Sequence, residues 1–295
     1  MSTPNAPVPD VSSAESTFRR VNGVTLHTVV AGDPDDPLVV LLHGFPEFWY
    51  EWSEYVEPLV DAGYRVLVPD QRGYNRSEKP SGLDAYRISE LSRDVRGLVA
   101  TEDRERAQII GHDWGAAVAW DLALRQPDAV DRLAIVNVPH PTVFERVLKS
   151  NPTQLRKSWY MFYFQLPRLP EFLSRRSEFE FMISAMEDGS RPGAFTSTDF
   201  GRYRAAWAED GALTAMINWY RALLRRREKP PRERVESPTL VVWGERDQAL
   251  VPELATKSLD YCEDGRLETF PDATHWVPHE YPDRVSALLL EHLES

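Results

Sequence analysis

The stretch that decides the fold is Gly111-His112-Asp113-Trp114-Gly115, which follows the strand-like run Ala107-Gln108-Ile109-Ile110. Behind it, Ala116 to Arg125 has helical spacing of apolar residues, and Pro127 ends that run. A Gly-x-Asp-x-Gly motif between a buried strand and a helix predicts a sharp turn that holds the central side chain above the sheet. Glycines fit there because larger side chains would collide with the strand and the helix. Asp113 is therefore our candidate nucleophile, and the alternative is a surface Asp that caps the helix.

Four other short runs have the same apolar texture, namely Leu38 to Leu42, Arg65 to Val68, Leu133 to Val136 and Thr239 to Trp243. Such runs are typical of strands buried on both faces of a parallel sheet. Because helical patterns lie between them, we predict an α/β fold with helices on both sides of a mostly parallel sheet. Phe18 to Val21 and Val24 to Val30 flank Asn22-Gly23, a pattern that predicts a β-hairpin.

The strand–helix alternation stops near Val138 and resumes near Ser237. Between them lies a stretch rich in aromatic and basic residues with helical patterning. We therefore predict a core made of residues 18–138 and 237–295, with residues 139–236 inserted as a helical cap and its exit linker. Residues 1–17 contain three prolines and four serines without apolar periodicity, which predicts a disordered lead-in.

Composition narrows the classes of partner. Of 295 residues, 42% are hydrophobic and 27% charged, as in globular proteins, and 34 basic against 46 acidic residues give a net charge of −12. A surface that negative repels phosphate backbones and anionic lipids, so neither nucleic acid nor a membrane is expected as a partner. The single Cys262 cannot form an internal disulfide. The sequence predicts a cytoplasmic protein and leaves monomer and homodimer both open.

Two partners for Asp113 follow it in the order expected of this type of turn, an acid and then a histidine. Asp247 lies in the loop after the strand-like Thr239 to Trp243, and Glu245 is its rival. His275 follows another strand-like run, Leu267 to Phe270, and His279 competes with it. The four-residue spacing of the two histidines is that of a helical metal site, but Pro278 breaks such a helix, so we expect no metal.

The loop His43-Gly44-Phe45-Pro46 follows the run Leu38 to Leu42 and is the candidate oxyanion loop. The backbone N–H groups of Phe45 and Trp114 could converge on one developing oxyanion beside Asp113. We further predict a cis peptide bond between Phe45 and Pro46.

From about Phe18 to Leu293, the chain resembles α/β-hydrolases of the epoxide hydrolase group. The resemblance is carried by the motifs His43-Gly44-Phe45-Pro46-Glu47-Phe48-Trp49-Tyr50, Asp70-Gln71-Arg72-Gly73-Tyr74, Gly111-His112-Asp113-Trp114-Gly115, Trp243-Gly244-x-x-Asp247 and His275-Trp276. It implies the α/β-hydrolase fold with a helical cap and conversion of lipophilic epoxides to vicinal diols without a cofactor. In that family two cap tyrosines hold the epoxide oxygen. Tyr160 and Tyr220 match these positions, with Tyr163 as the rival of Tyr160.

The resemblance also implies the roles of the residues. Asp113 would form a covalent ester with the opened epoxide, and His275, oriented by Asp247, would activate the water that hydrolyses it. We expect an apolar substrate site, whose lining we predict to comprise His43, Phe45, Trp114, Trp159, Phe162 and Trp219.

Two other functions are alternatives to epoxide hydrolysis. A haloalkane dehalogenase has the same Asp turn and histidine, but its halide is held by indole or amide N–H groups, and Trp114 is compatible with that role. The tyrosine motifs favour an oxygen leaving group instead. A non-catalytic small-molecule receptor is the alternative from a different class, and it predicts a broken set of catalytic residues, whereas each role has a candidate here.

Overall fold

The computed structural model describes residues 6–8 and 11–295. Those residues form a single nine-stranded sheet with the strand order β1-β2-β3-β5-β4-β6-β7-β8-β9. The strands are β1 (Ala6–Val8), β2 (Val11–Val21), β3 (Val24–Ala31), β4 (Leu38–Leu42), β5 (Arg65–Pro69), β6 (Ala107–His112), β7 (Val130–Val136), β8 (Thr239–Gly244) and β9 (Gly265–Phe270). From β5 to β9 the neighbours are parallel, whereas β1, β2, β3 and β5 pair antiparallel. The α/β class predicted from the sequence is confirmed.

The predicted hairpin is also confirmed. In it, Val21 of β2 pairs with Val24 of β3, and Asn22 and Gly23 between them both have positive φ angles, 46° and 79°. Two-residue hairpin loops of this kind match the twist of the strands that they join.

The prediction of a disordered lead-in over residues 1–17 is wrong for the part that the structure describes. The chain is already a strand at Ala6–Val8 and again from Val11, and Ala14 pairs with Ala31 of β3. The free edge of β3 supplies the backbone hydrogen bonds, and Val11 and Ala14 are buried against the core. Composition did not reveal this, because an edge strand can consist largely of Ser and Thr when its partner is preformed. Residues 1–5 and 9–10 lie outside the described residues.

Helices cover both faces of the sheet, since every residue of β4, β6 and β8 is buried. The helices α1 and α13 contact each other, as do α2 and α3, and all four contact strands. The core helices are α1 (Ser53–Asp61), α2 (Ile88–Thr101), α3 (Trp114–Arg125), α11 (Glu253–Leu259), α12 (Val277–Glu280) and α13 (Pro282–Glu294), with 3-10 turns at Trp49–Trp52, Asp84–Tyr86 and Pro127–Ala129.

Seven further helices stand between β7 and β8 in the described chain. They are α4 (Pro141–Ser150), α5 (Pro152–Lys157), α6 (Trp159–Tyr163), α7 (Leu169–Arg176), α8 (Glu180–Gly189), α9 (Ser197–Ala208) and α10 (Ala212–Arg225). They occupy the stretch for which helical patterning was predicted. We propose that this stretch is a cap over the carboxyl ends of the strands, with the boundaries 139 and 236 given above.

The close approach of α3 to β4 yields a test of the fold. A Cβ atom on Gly115 would lie 2.1 Å from the carbonyl oxygen of Leu42, so Gly115→Ala should lower the free energy of unfolding by about 3 kcal/mol or more. Gly201→Ala in α9 is the matched control, because nothing lies within 4 Å of its Cβ. That variant should gain up to about 1 kcal/mol from helix propensity. Urea denaturation measures both, and equal stabilities would contradict the packing described.

Candidate active site

Asp113 lies between the end of β6 and the start of α3, at the carboxyl edge of the sheet where open α/β folds bind ligands. Its backbone has φ 45° and ψ −119°, a conformation that residues other than glycine rarely adopt. The turn leaves no room on either side, since a Cβ on Gly44 would lie 2.6 Å from the Cβ of Asp113 and one on Gly111 would lie 2.5 Å from Gly115. The sharp turn predicted from the glycine spacing is confirmed.

His275 and Asp247 converge on Asp113 from the loops after β9 and β8. The Nε2 atom of His275 lies 3.4 Å from Asp113 Oδ2, and its Nδ1 lies 2.7 Å from Asp247 Oδ2. Asp247 is buried and also accepts backbone N–H groups from Ala249 at 2.6 Å and Leu250 at 2.9 Å. The structure thus brings together the three side chains to which the sequence order assigns the roles of nucleophile, base and acid.

The electrostatics of the array keep both carboxylates ionised. Burial by itself would raise the pKa of Asp113, but the hydrogen bond and charge of His275 and the Phe45 N–H lower it below its ordinary value. Burial would also raise the pKa of Asp247, but the charge of His275 lowers it below its ordinary value. Burial would lower the pKa of His275, but the charge of Asp247 and the hydrogen bond to Asp113 raise it to about 9.

The two rivals named from the sequence lie elsewhere. Glu245 is exposed, whereas Asp247 is buried against His275. His279 Nε2 lies 2.7 Å from Glu47 Oε1, so the His279 imidazole contacts Glu47 rather than Asp113 or Asp247.

Sequence reasoning missed Asn137, which follows β7. Its Nδ2 donates to Asp247 Oδ2 at 2.7 Å, and its Oδ1 accepts the Gly244 N–H at 2.8 Å. Its positive φ of 48° is a conformation that Asn adopts more readily than most residues. Asn137 therefore links the Asp247 side chain to the end of β8. The only sequence feature that could have indicated this role is an Asn placed directly after a buried strand.

The candidate oxyanion loop contacts Asp113 directly. The backbone N–H of Phe45 donates to Asp113 Oδ1 at 2.7 Å, and the Phe45–Pro46 peptide bond is cis, as predicted. Trp114 opens α3, so its N–H is one of those at the helix start that have no acceptor within the helix.

Two phenols from the helices between β7 and β8 lie within range of the charge of Asp113. The rings of Tyr160 in α6 and Tyr220 in α10 are 5.8 Å apart at 85°, and that of Tyr220 is 5.0 Å from the ring of Trp114. Burial and then the negative charge of Asp113 raise the pKa of both phenols above the ordinary value, so both retain their protons. For Tyr163 the causes are burial and Glu171, without Asp113. The ring contacts differ in the same way, since Tyr160 packs on Tyr220 whereas Tyr163 packs on Trp159 and Phe181.

The predicted apolar lining needs correction. Phe45 packs on Tyr220 with ring centroids 5.1 Å apart, and Trp114 lies on the same phenol. Trp159 and Phe162, by contrast, expose 55% and 51% of their surface, because α6 turns them away from the core.

His43 and Trp219 are buried, and their ring nitrogens form hydrogen bonds with backbone groups. His43 Nδ1 faces the Gly44 carbonyl at 2.9 Å, and its Nε2 accepts the Gln71 N–H at 3.0 Å. Trp219 donates to the Arg72 carbonyl at 3.0 Å and packs behind Trp114. Both residues therefore support the loops of the site rather than line it, which corrects their predicted role.

A second group missed by the sequence analysis lies beneath the turn. Glu47, Glu51 and His112 are buried, and each offers one metal-ligand atom within 4.8 Å of the others. Sequence spacing did not indicate this grouping, because Glu47 and Glu51 come from the segment after the oxyanion loop and His112 from the end of β6. Two of these ligand atoms contact each other, with His112 Nδ1 2.8 Å from Glu51 Oε1.

Taken together, the site combines an ionised carboxylate, an imidazole held by a buried acid, a backbone N–H aimed at the carboxylate and two protonated phenols. Such a set can attack an electrophilic carbon, protonate a departing oxygen and then activate water.

Among the described helices none is long and apolar enough to span a bilayer.

Comparison with known proteins places the chain in a family. A family model described as the alpha/beta hydrolase fold matches residues 37–282. The AB hydrolase superfamily protein YfhM of Bacillus subtilis is 48% identical over 94% of this chain and 97% of its own length. Epoxide hydrolase 1 of Caenorhabditis elegans is 35% identical over 92% of this chain and 68% of its own length.

The likeness extends to three dimensions. A mutant epoxide hydrolase of Bacillus megaterium, crystallised with its naphthyloxy-propanediol product, superimposes with a TM-score of 0.86. The alignment covers 95% of this chain and 100% of that one at 30% sequence identity. The chain belongs to the epoxide hydrolase family of the α/β-hydrolase superfamily.

Proposed function

We propose that this protein hydrolyses lipophilic epoxides to vicinal diols through a covalent ester on Asp113. The observation that carries the proposal is a pair of packed, protonated phenols, Tyr160 and Tyr220, near enough to the Asp113 carboxylate for its charge to raise their pKa. On that carboxylate lies His275, which Asp247 holds from its other ring nitrogen. Family membership supports the reaction class, and the arrangement of these residues supports the steps.

In the first step, a carboxylate oxygen of Asp113 attacks one ring carbon and the bond from that carbon to the epoxide oxygen breaks. The oxygen leaves with a negative charge, which is strongly basic. Tyr160 and Tyr220 donate hydrogen bonds to it, and one of them supplies the proton. The product of this step is an alkyl ester of Asp113 that carries a neighbouring hydroxyl group.

In the second step, His275 takes a proton from water, and the water oxygen attacks the ester carbonyl carbon of Asp113. The carbonyl oxygen gains negative charge and lies where the N–H of Phe45 already donates to Asp113 at 2.7 Å, with the N–H of Trp114 as the second donor. The ester then collapses, the diol oxygen takes a proton from His275, and Asp113 retains one oxygen from water. The second proton of that water is released from Asp113 and replaces the proton that the phenol gave up in the first step. Asp247 stabilises the imidazolium throughout.

Ester formation itself prepares His275 for its task. In the free enzyme the Asp113 carboxylate helps to raise the pKa of His275 to about 9. The ester of Asp113 is neutral, so that contribution disappears and the pKa of His275 falls. A protonated histidine that stabilises the nucleophile thus becomes a neutral base when water is needed.

The pH dependence of ester hydrolysis follows from this. Only neutral His275 accepts a proton, so the hydrolysis rate should fall about tenfold per pH unit below the pKa in the ester and level off above it. Alkylation should vary little over the same range because the pKa of Asp113 is lowered. Rapid-quench mass spectrometry of single turnovers measures both steps. Ester decay that accelerates towards low pH would contradict the role of His275.

A direct turnover assay tests the proposed function. Suitable epoxides are styrene oxide and a naphthyl glycidyl ether, the latter because a relative at 30% identity was crystallised with a naphthyloxy-propanediol product. Diol formation supports the proposal. Release of halide from haloalkanes without diol formation would favour a dehalogenase, and binding without any product would favour a receptor.

A further inference from the structure

Beneath the active site lies a group of buried charged side chains that the proposed reaction does not use. Glu47, Glu51 and His112 are at most 2% exposed, and His279 completes the group from α12. His112 directly precedes Asp113 in the chain, so the group contacts the turn that carries the nucleophile.

Glu51 connects this group to the oxyanion loop. Its Oε2 accepts the backbone N–H of Gly44 at 2.7 Å, and Oε1 lies 2.8 Å from Nδ1 of His112. Gly44 precedes Phe45, whose N–H donates to Asp113. One carboxyl group thus holds the end of β6 and the loop that must bind the oxyanion.

His112 carries the connection to the base. Its Nε2 lies 2.9 Å from the carbonyl oxygen of His275, and the two rings are 4.9 Å apart. A carbonyl oxygen only accepts, so Nε2 bears a hydrogen and donates it. Glu51 therefore contacts the backbone of the base through one imidazole.

Glu47 has a different set of contacts. Its Oε1 lies 2.7 Å from His279 Nε2 and accepts the hydroxyl group of Tyr203 in α9 at 2.6 Å. Its Oε2 also lies 3.6 Å from His112 Nδ1, farther than the 2.8 Å of Glu51 Oε1. Glu47 thus joins α9 to α12, whereas Glu51 makes the shorter contact with His112 and also holds the oxyanion loop.

We infer that Glu51 is a positioning residue for ester hydrolysis, acting on the oxyanion loop through Gly44 and on His275 through His112. The inference rests on the proposed function. Alkylation and ester hydrolysis differ in how much they depend on Glu51. During alkylation the carboxylate that faces the Phe45 N–H loses its charge, whereas during hydrolysis negative charge develops at that oxygen. A displaced loop and a displaced base therefore slow the second step.

Three variants of Glu51 separate this role from simple packing. In Glu51→Gln the amide oxygen can accept from Gly44, and the amide nitrogen can donate to Nδ1 when His112 is neutral with its hydrogen on Nε2, so both contacts are then kept. Glu51→Ala removes both contacts. Glu51→Asp keeps the carboxyl group but is one methylene shorter and cannot span both partners, and it serves if the Ala variant does not fold.

The experiment is rapid-quench mass spectrometry with styrene oxide, which follows the Asp113 ester and the diol. We expect Glu51→Ala and Glu51→Asp to slow ester hydrolysis by about tenfold or more, so that ester accumulates, and to change alkylation by less than about threefold. Glu51→Gln should stay within about threefold of the wild type in both steps. Glu102→Ala is the control for loss of a nearly buried, ion-paired carboxylate at a distance, and it should lower stability without ester accumulation.

Several outcomes would overturn the inference. These are wild-type ester hydrolysis in Glu51→Ala and Glu51→Asp, equal slowing of both steps, or a Glu51→Gln enzyme as impaired as Glu51→Ala. A divalent metal that copurifies at about one equivalent per chain and is lost in Glu51→Gln would also overturn it, because the group would then be a metal site. Failure of the proposed function is recognised separately, since His275→Gln would then form no ester with styrene oxide.

Discussion

His275→Gln protein mixed with an epoxide should gain the mass of one epoxide molecule, on the peptide that contains Asp113. Alkylation needs the carboxylate and the phenols, which this variant retains, whereas hydrolysis needs a base, which it lacks. Ester decay should slow by about a thousandfold or more, the upper part of the range for general base catalysis. Intact-protein and peptide mass spectrometry measure the adduct and its position.

Asp113→Asn and Asp113→Ala provide the matched test of the nucleophile. Both should reduce diol formation by at least about 10⁴-fold, and Asp113→Ala in the His275→Gln background should form no adduct. An adduct that persists without Asp113 would assign the nucleophile to another residue. Diol production by His275→Gln at the wild-type rate would instead indicate that water attacks the epoxide directly.

Much of this site could be predicted because its residues directly follow strands or lie beside glycines that a tight turn requires. Asp113, Asp247 and His275 each follow a strand-like run, and parallel strands bring their carboxyl ends to one edge of the sheet. The glycines of the turn are needed for a local steric reason, so they mark its position without knowledge of the rest of the fold.

What escaped prediction depends on long-range contacts. Glu51 and His112 are 61 residues apart, and no local sequence pattern in either segment predicts the buried hydrogen bond between them. Trp159 and Phe162 are aromatic, like residues that line apolar sites, yet the orientation of α6 leaves them exposed. The strand from Val11 was missed because its stability comes from the edge of β3 rather than from its own composition.

The second large effect is expected at the phenols. Tyr160→Phe and Tyr220→Phe should each slow alkylation by about tenfold to a hundredfold, and the double variant by about 10³-fold or more, because the departing oxygen then has no hydroxyl donor. Ester hydrolysis should change far less, since the phenols face the first leaving group and not the oxyanion. Single-turnover mass spectrometry separates the two rates.

Tyr163→Phe is the matched control, since it removes the same hydroxyl group from the same helix α6. The charge of Asp113 contributes to the raised pKa of Tyr160 but not to that of Tyr163, so the control should alkylate at close to the wild-type rate. If Tyr163→Phe were the more impaired variant, the first phenol would have to be reassigned to Tyr163. A double variant that alkylates epoxides normally would place the oxygen donor elsewhere. Halide release from haloalkanes that depends on the Trp114 indole would then favour the dehalogenase, because indole N–H groups suit a halide and phenols suit an alkoxide.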